Sequence, residues 1–345
     1  MLGLTRGQIA MNKNTILTLD EIHNLAMQVL STHGFSTAQA DSIAKTVTAA
    51  ERDGCRSHGL FRIPFYVYAL KNPSANAQAE PILSVTDSSV VHVDALRGFC
   101  PLALRTGLPA LSEKARLHGT AALAIHNTYN IAALWPEVES LAVQGLVAFA
   151  FTTANAYVAP AGGQSPLYGT NPMAFAFPRK DQPPLVFDQA SSASARGEIQ
   201  LHLREGKLLP DGWAIDREGN PTNDPQAALD GAQLPFGGYK GAALALMVEL
   251  LAGALIGDNF SVESTEQDAY GVGAPLGGEL LLAIDPAHFG SGNYLERSEY
   301  LFEQVLAQPG TRLPSQRRYD TRREHETHGV DIDNVLLAEL REFLD

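Results

Sequence analysis

Residues 54–66, GCRSHGLFRIPFY, bring a histidine, an arginine and a proline into one short segment. If the chain turns into helix after Gly59, His58 and Arg62 stand four residues apart and project from one face. A titratable donor beside a fixed cation suits a substrate that carries a carboxylate next to a reducible double bond. The guanidinium grips the carboxylate in a two-pronged hydrogen bond, and the imidazole supplies a proton near neutral pH. The same residues also fit a capped helix start with a surface arginine, so the choice rests on the remaining chain.

Other polar groups gather where apolar runs end. Residues 121–125 (AALAI) read as a buried strand leading into His126-Asn127-Thr128-Tyr129-Asn130, with a helical pattern beginning near Ala132. Such junctions collect ligand groups in α/β proteins, and a capped connector is the alternative. Residues 185–187 deliver Asp188-Gln189-Ala190, and Arg196-Gly197-Glu198 sets a cation and a carboxylate in the first turn of the next helix. A Gly-rich loop at 161–169 ends in Gly169-Thr170-Asn171-Pro172. The glycines of PFGGYKG (235–241) let backbone amides approach an anion, and Lys240 adds charge. Arg312, Arg317, Arg318, Arg322 and Arg323 form a basic island, which is either a phosphate site or a solvated loop balanced by Glu324 and Glu326. Neither the P-loop pattern nor G-x-G-x-x-G occurs, so a Walker site and a Rossmann fingerprint are unsupported. His325 and His328 lack an H-E-x-x-H frame, and no metal is expected.

The elements that must position these groups are legible in part. Thr18 with Glu21 forms a capping-box pattern ahead of Ile22, Leu25, Ala26, Val29 and Leu30; Ser36 with Gln39 repeats it ahead of Ile43, Ala44, Val47 and Ala50, and Gly54 ends that helix. Strands are expected at 90–94, 121–125, 146–151, 173–177, 185–187 and 279–285, and helices at 101–118, 242–255, 297–306 and 333–344. The helix at 242–255 is the most apolar and reads as core. Residues 205–235 read as a long excursion with one short helix near 225–229, anchored by Trp213. Residues 1–16 look like an extension.

The chain has 345 residues, 45% hydrophobic and 18% charged, which suits a globular protein of two domains rather than a disordered one. A net charge of -13 argues against nucleic-acid or anionic-membrane partners. Cys55 and Cys100 are too few for a disulfide framework, and no apolar run reaches the ~18 residues of a membrane span. A soluble protein of the reducing cytoplasm is expected.

Taken together, RDGCRSHGLFRIPFY, IAALWPEVE, GTNPMAFAFPR, FDQASSASARGEI, LPFGGYKGAALALMVELLAG and RLPSQRR resemble the malate/L-lactate dehydrogenase family that lacks a Rossmann fold. AALWP with LPFGGYKG most resembles its cyclic ketimine reductase branch, which acts on 1-pyrroline-2-carboxylate and 1-piperideine-2-carboxylate. The resemblance implies a homodimeric enzyme of mixed α/β class that uses NADPH, with NADH possible, to reduce a small cyclic imine carboxylate to L-proline or L-pipecolate. It implies a cofactor domain with a mainly antiparallel sheet at 126–294, beside a helical and mixed substrate and dimerisation domain built from 17–125 and 295–345. Carried over by motif, His58 is the proton donor, with Ser57 and Glu198 as its relay. Arg62, Thr170, Arg196 and Gly197 are substrate contacts. Asn130, Ile131, Ala132, Ala133, Leu134, Asp188, Gln189, Ala190, Tyr239, Lys240 and the run Arg312, Leu313, Pro314, Ser315, Gln316, Arg317, Arg318 are cofactor contacts. Two departures stand out: Glu198 where the branch usually has aspartate, and Tyr129-Asn130 where relatives often carry histidines. A 2-hydroxy acid dehydrogenase on the same scaffold, acting on malate, lactate or ureidoglycolate, and a non-catalytic relative are the competing readings.

Overall fold

The computed structural model describes residues 14–290 and 292–344. Helix Leu19–Thr32 starts at the expected capping box, in which the Thr18 side chain accepts from Glu21 N and the Glu21 carboxylate accepts from Thr18 N. Helix Thr37–Arg52 starts on Ser36, whose hydroxyl accepts from Gln39 N. The reciprocal half of that box is missing, because the buried Gln39 side chain turns inward and donates to Ala79 O.

The main sheet has seven strands in the order Ile82–Val85, Val90–Asp94, Thr120–Tyr129, Leu276–Ile284, Val147–Thr152, Met173–Phe177 and Leu185–Gln189. Only the pair of Val90–Asp94 with Thr120–Tyr129 is parallel; the other neighbours are antiparallel. This is the mainly antiparallel sheet expected. Leu276–Ile284 lies between two strands, and its nearly continuous burial explains why its sequence, LGGELLLAI, does not alternate. One core packs Val91, Val93, Leu123, Ile125 and Leu281 against Leu104, Leu111, Trp135 and Leu141. A second joins Ile22, Val29 and Ile43 to Leu60, Tyr66 and Phe99 and to Val330, Ile332 and Leu337 from the far end of the chain.

Several expectations need correction. Residues 1–13 of the supposed extension lie outside the described residues, but Asn14–Leu17 is a strand paired antiparallel with Val330–Asp333, tying the N-terminal part to the C-terminal part. The C-terminal helix therefore begins later, at Asn334–Glu342, capped by Asp333. The domain boundary expected at residue 125 falls inside Thr120–Tyr129, and strands 82–85 and 90–94 belong to the same sheet. The excursion holds its own three-stranded sheet of Ala214–Ile215, Pro221–Thr222 and Ala232–Gln233 beside helix Pro225–Asp230. The apolar helix runs over Tyr239–Val248 and continues as a π-helix over Glu249–Ala254. It is not simply core, since Leu246, Leu250 and Leu255 are 45%, 52% and 68% exposed. Among the described residues no helix is long and apolar enough to cross a membrane.

Candidate active site

Helix Thr37–Arg52 ends at Asp53, Gly54 takes a left-handed φ of 73°, and the chain folds into two single 3-10 turns, Arg56–His58 and Leu60–Arg62, before helix Ile63–Ala69. The buried Glu51 holds this double turn from beneath by accepting from Leu60 N at 2.7 Å. Its carboxylate lies so close to Gly59 that any Cβ there would clash, which is why the position is glycine. Ser57 Oγ lies 3.0 Å from His58 Nδ1, and Arg62 Nε donates to Ser57 O at 2.7 Å. His58 and Arg62 are thus held through Ser57 rather than by spacing along one regular helix.

The turn faces a cleft of about 440 Å³, within the size range of small-molecule sites. Ser57, His58 and Arg62 line it, together with Thr170, Arg196 and Gly197. Arg62 stacks on Phe65 at 5.0 Å and Arg196 on Tyr157 at 3.8 Å. Neither guanidinium has a carboxylate partner among the described residues. Two cations therefore look into the cleft with neither paired to a carboxylate among the described residues. Burial, reinforced by the Arg62 charge, pushes His58 down to about 3, so the free protein carries a neutral imidazole at pH 7. The expected ready-made acid is corrected accordingly: a carboxylate seated on Arg62 would offset that charge and move His58 upward.

The opposite wall is built by the sheet. Asn130, Ile131, Ala132 and Ala133 follow the end of Thr120–Tyr129, Asp188 and Gln189 end Leu185–Gln189, and Ala190 follows it; all seven line the cleft. Leu134 is fully buried behind them and contributes its amide, which donates to Asp188 Oδ2 at 2.8 Å, as Trp135 N does at 3.1 Å. Burial pushes Asp188 up to about 6 despite these amides and the nearby Arg318. Arg318 lies over the Trp135 ring at 4.5 Å and also lines the cleft.

The other expected site residues are not brought together. Glu198 sits in the first turn of helix Arg196–Glu205, but its side chain is half exposed and lies 3.8 Å from His202 Nδ1. No hydrogen bond joins it to Ser57 or His58 among the described residues, so the geometry does not form the expected relay. Cys55 Sγ is the other neighbour of His58 Nδ1, at 3.7 Å. Tyr239 and Lys240 are exposed at the start of their helix and do not line the cleft. Of the basic run, Arg312, Pro314, Gln316 and Arg317 are exposed, Leu313 is buried, and Ser315 Oγ donates to Val186 O; Arg318 alone lines the cleft. Arg322, read as part of an island that is either a phosphate site or a solvated loop, is instead an internal tie, since it pairs with Asp53 at 2.6 Å and Glu139 at 2.7 Å, and Arg323 pairs with Asp320. Sequence reasoning missed Tyr157, Gln200 and Gly273 in the cleft, which carry no motif. It also missed Glu51, whose signal was a carboxylate set among the apolar positions of its helix.

A family model described as malate/L-lactate dehydrogenase matches residues 17–341. The chain is 51% identical over 335 residues to Delta(1)-pyrroline-2-carboxylate reductase 1 of Burkholderia ambifaria, covering 96% of this chain and 98% of that protein. It is 50% identical to the Delta(1)-pyrroline-2-carboxylate/Delta(1)-piperideine-2-carboxylate reductase of Pseudomonas aeruginosa, covering 95% and 99%. Among solved structures it is similar to delta1-piperideine-2-carboxylate reductase from Pseudomonas syringae pvar. tomato, with a TM-score of 0.91 at 42% identity, covering 95% and 99%.

Proposed function

The chain belongs to the malate/L-lactate dehydrogenase family, and on that premise we propose that it reduces cyclic imine carboxylates, 1-pyrroline-2-carboxylate to L-proline and 1-piperideine-2-carboxylate to L-pipecolate. The observation that carries this reading is Arg62, a partly buried guanidinium that faces the cleft beside His58 and has no carboxylate partner among the described residues. Taking such a cation out of water is costly unless an anion completes it, and a substrate carboxylate is that anion.

The family implies a nicotinamide cofactor, and the residues present fit one. Arg318 Nη1 is buried without a hydrogen-bond partner among the described residues, and Arg318 shares the cleft with residues 130–133 and 188–190. Those residues would hold it, and when bound it supplies the hydride. Preference for NADPH over NADH rests on Arg312 and Arg317, which are exposed, carry no ion pair among the described residues and suit a 2′-phosphate. Arg62 orients the substrate carboxylate, and Arg196 adds a second positive charge. The neutral His58 matters least for an imine, which arrives already protonated, and most for a keto acid, whose developing alkoxide needs a proton. The two free cysteines suit a reducing cytoplasm, and the exposed leucines of the helix at 239–254 suit a homodimer.

The test is cofactor oxidation followed in parallel with 1-pyrroline-2-carboxylate, 1-piperideine-2-carboxylate, pyruvate and oxaloacetate, for the wild type and Arg62→Lys. The cyclic imines should turn over fastest, and Arg62→Lys should raise their KM by about tenfold or more as the two-pronged contact is lost. Faster turnover of a keto acid would select the 2-hydroxy acid dehydrogenase reading, and no turnover of any would select a non-catalytic relative.

A further inference from the structure

Beneath the turn at 130–133 lies a group of buried acids that the proposed chemistry does not use. Glu279 is fully buried on Leu276–Ile284, immediately after the irregularity in register between Gly277 and Glu279. Such a bulge re-aims a side chain. Glu279 Oε2 accepts from Asn130 Nδ2 at 2.5 Å and from Cys100 Sγ at 2.9 Å. The same Asn130 side chain accepts from Ala132 N at 3.1 Å, and Asn130 N donates to Pro275 O at 3.2 Å. One amide therefore bridges the buried carboxylate and the backbone that lines the cleft.

Glu279 has a second acid behind it. Glu137, also buried, projects from helix Trp135–Val143, and the remaining oxygens of the pair, Glu279 Oε1 and Glu137 Oε1, find no donor elsewhere among the described residues. The two buried carboxyls act on each other electrostatically, so that ionising both is disfavoured and one keeps its proton. Burying two acids against each other is costly, and apolar side chains of similar volume would serve packing at least as well. Their arrangement instead serves the amide above them.

We infer that Glu279, backed by Glu137, is a positioning residue for the cofactor-binding turn, fixing Asn130 so that residues 130–133 keep the shape of the cleft wall. This inference rests on the reading of that turn as a nicotinamide-cofactor contact. Burial pushes Glu279 up to about 7, and burial together with the facing Glu279 charge pushes Glu137 well above the usual carboxylate range. The pair thus keeps one proton at neutral pH and loses it as pH rises, which sets two anions face to face. The other titratable groups around it are Cys100 from helix Cys100–His118, Asp188 from Leu185–Gln189 and Tyr66 from helix Ile63–Ala69, with Arg318 beyond Asp188. Among the described residues none is a cation touching the pair, so alkaline pH weakens the hold on Asn130.

The experiment is calorimetric titration of the full chain with NADPH in the absence of substrate, for the wild type, Glu279→Leu, Glu279→Gln, Asn130→Ala and the Glu279→Leu/Asn130→Ala double variant. Glu279→Leu should weaken binding by about tenfold, the worth of a hydrogen bond to a charged group. The double variant should bind no worse than Asn130→Ala, because Glu279 acts through that side chain. Glu279→Gln keeps an acceptor for Asn130, so it should bind within about threefold of wild type at pH 7 while losing the wild type's weakening as pH rises above neutral. Wild-type affinity in Glu279→Leu, or a double variant equal to the product of the two singles, overturns the inference. Should Glu279→Leu fail to fold, the pH series of Glu279→Gln decides, and a slope equal to wild type overturns it. A wild-type protein that binds neither NADPH nor NADH removes the cofactor reading and the inference with it, whereas wild-type binding with an unaffected Glu279→Leu removes the inference alone.

Discussion

His58 is the residue whose role changes most once its surroundings are known. Its neighbours are a hydroxyl, a thiol and a guanidinium held against the same turn, with no carboxylate in hydrogen-bonding reach among the described residues. With burial, this surrounding holds the free side chain neutral down to about pH 3. The sign of the linkage follows: unfolded chains bind this proton near 6.5 and the folded chain only near 3, so stability present above 6.5 is lost as pH falls toward 3. In catalysis a neutral ring beside Arg62 is a poor acid until an anion arrives. His58→Ala should therefore lower any reduction of pyruvate or oxaloacetate by about 10²-fold or more while leaving imine reduction within about tenfold of wild type. Equal losses on both substrate types, measured as kcat, would show that the imine also depends on this proton.

At the scale of elements, helix Gln316–His328 brings Arg318 to the cleft, and its anchor is Arg322. That guanidinium holds Asp53 Oδ2 at 2.6 Å and Glu139 Oε1 at 2.7 Å, and Asp53 also accepts from Trp135 Nε1 at 3.0 Å. Three helices, Thr37–Arg52, Trp135–Val143 and Gln316–His328, are thereby joined close to Arg318. Burial would raise Asp53, but hydrogen bonds from Arg322 and Arg52 outweigh it and leave its carboxyl below the usual range. This contribution is present above about pH 4 and lost as pH falls through the depressed value. Arg322→Ala leaves the buried Glu139 without its ion-pair partner and Asp53 with Arg52 and Trp135 alone, and urea unfolding at pH 7 should show a loss of about 3 kcal/mol, shrinking in acid. A loss under about 1 kcal/mol would mark the cluster as solvated and weak. None of this was legible in the run RLPSQRRYDTRR, where Arg322 is one charge among several. Local signals did read through: the Thr18 capping box, the left-handed Gly54 and the first turn of Arg196–Glu205 lie where expected, because each depends on neighbours within four residues. Pairings of distant segments did not, as with Asn14–Leu17 against Val330–Asp333 or the extension of the strand through His126 to Tyr129. There the partner strand, not the local pattern, decides the conformation.

At the scale of the molecule, the most apolar stretch, GAALALMVELLAG, illustrates the limit of reading burial from composition. Periodicity marks it as helix but does not say what covers each side. In the structure Ala242, Ala245, Val248 and Ala252 face the protein, while Leu246, Leu250 and Leu255 face outward with Tyr239. Exposed leucines spaced along one helix form the kind of patch that a monomer seldom leaves bare. A second copy of this chain is the occupant proposed here: a homodimer is what the family resemblance implies, and a twofold interface needs only one self-complementary patch. The prediction is that Leu246→Glu/Leu250→Glu, which sets charges at two outward positions while leaving the inward face and the cleft residues unchanged, converts a two-chain species to a single chain in light scattering after size exclusion. The far-ultraviolet circular dichroism should stay as in wild type, since both positions are about half exposed, at 45% and 52%. A wild-type protein already running as one chain, or a double variant still running as two, would refute this face as the interface. The second outcome would turn attention to the exposed edge strand Ile82–Val85, where Ile82, Leu83 and Val85 also face outward and unpaired backbone groups could recruit a neighbouring copy.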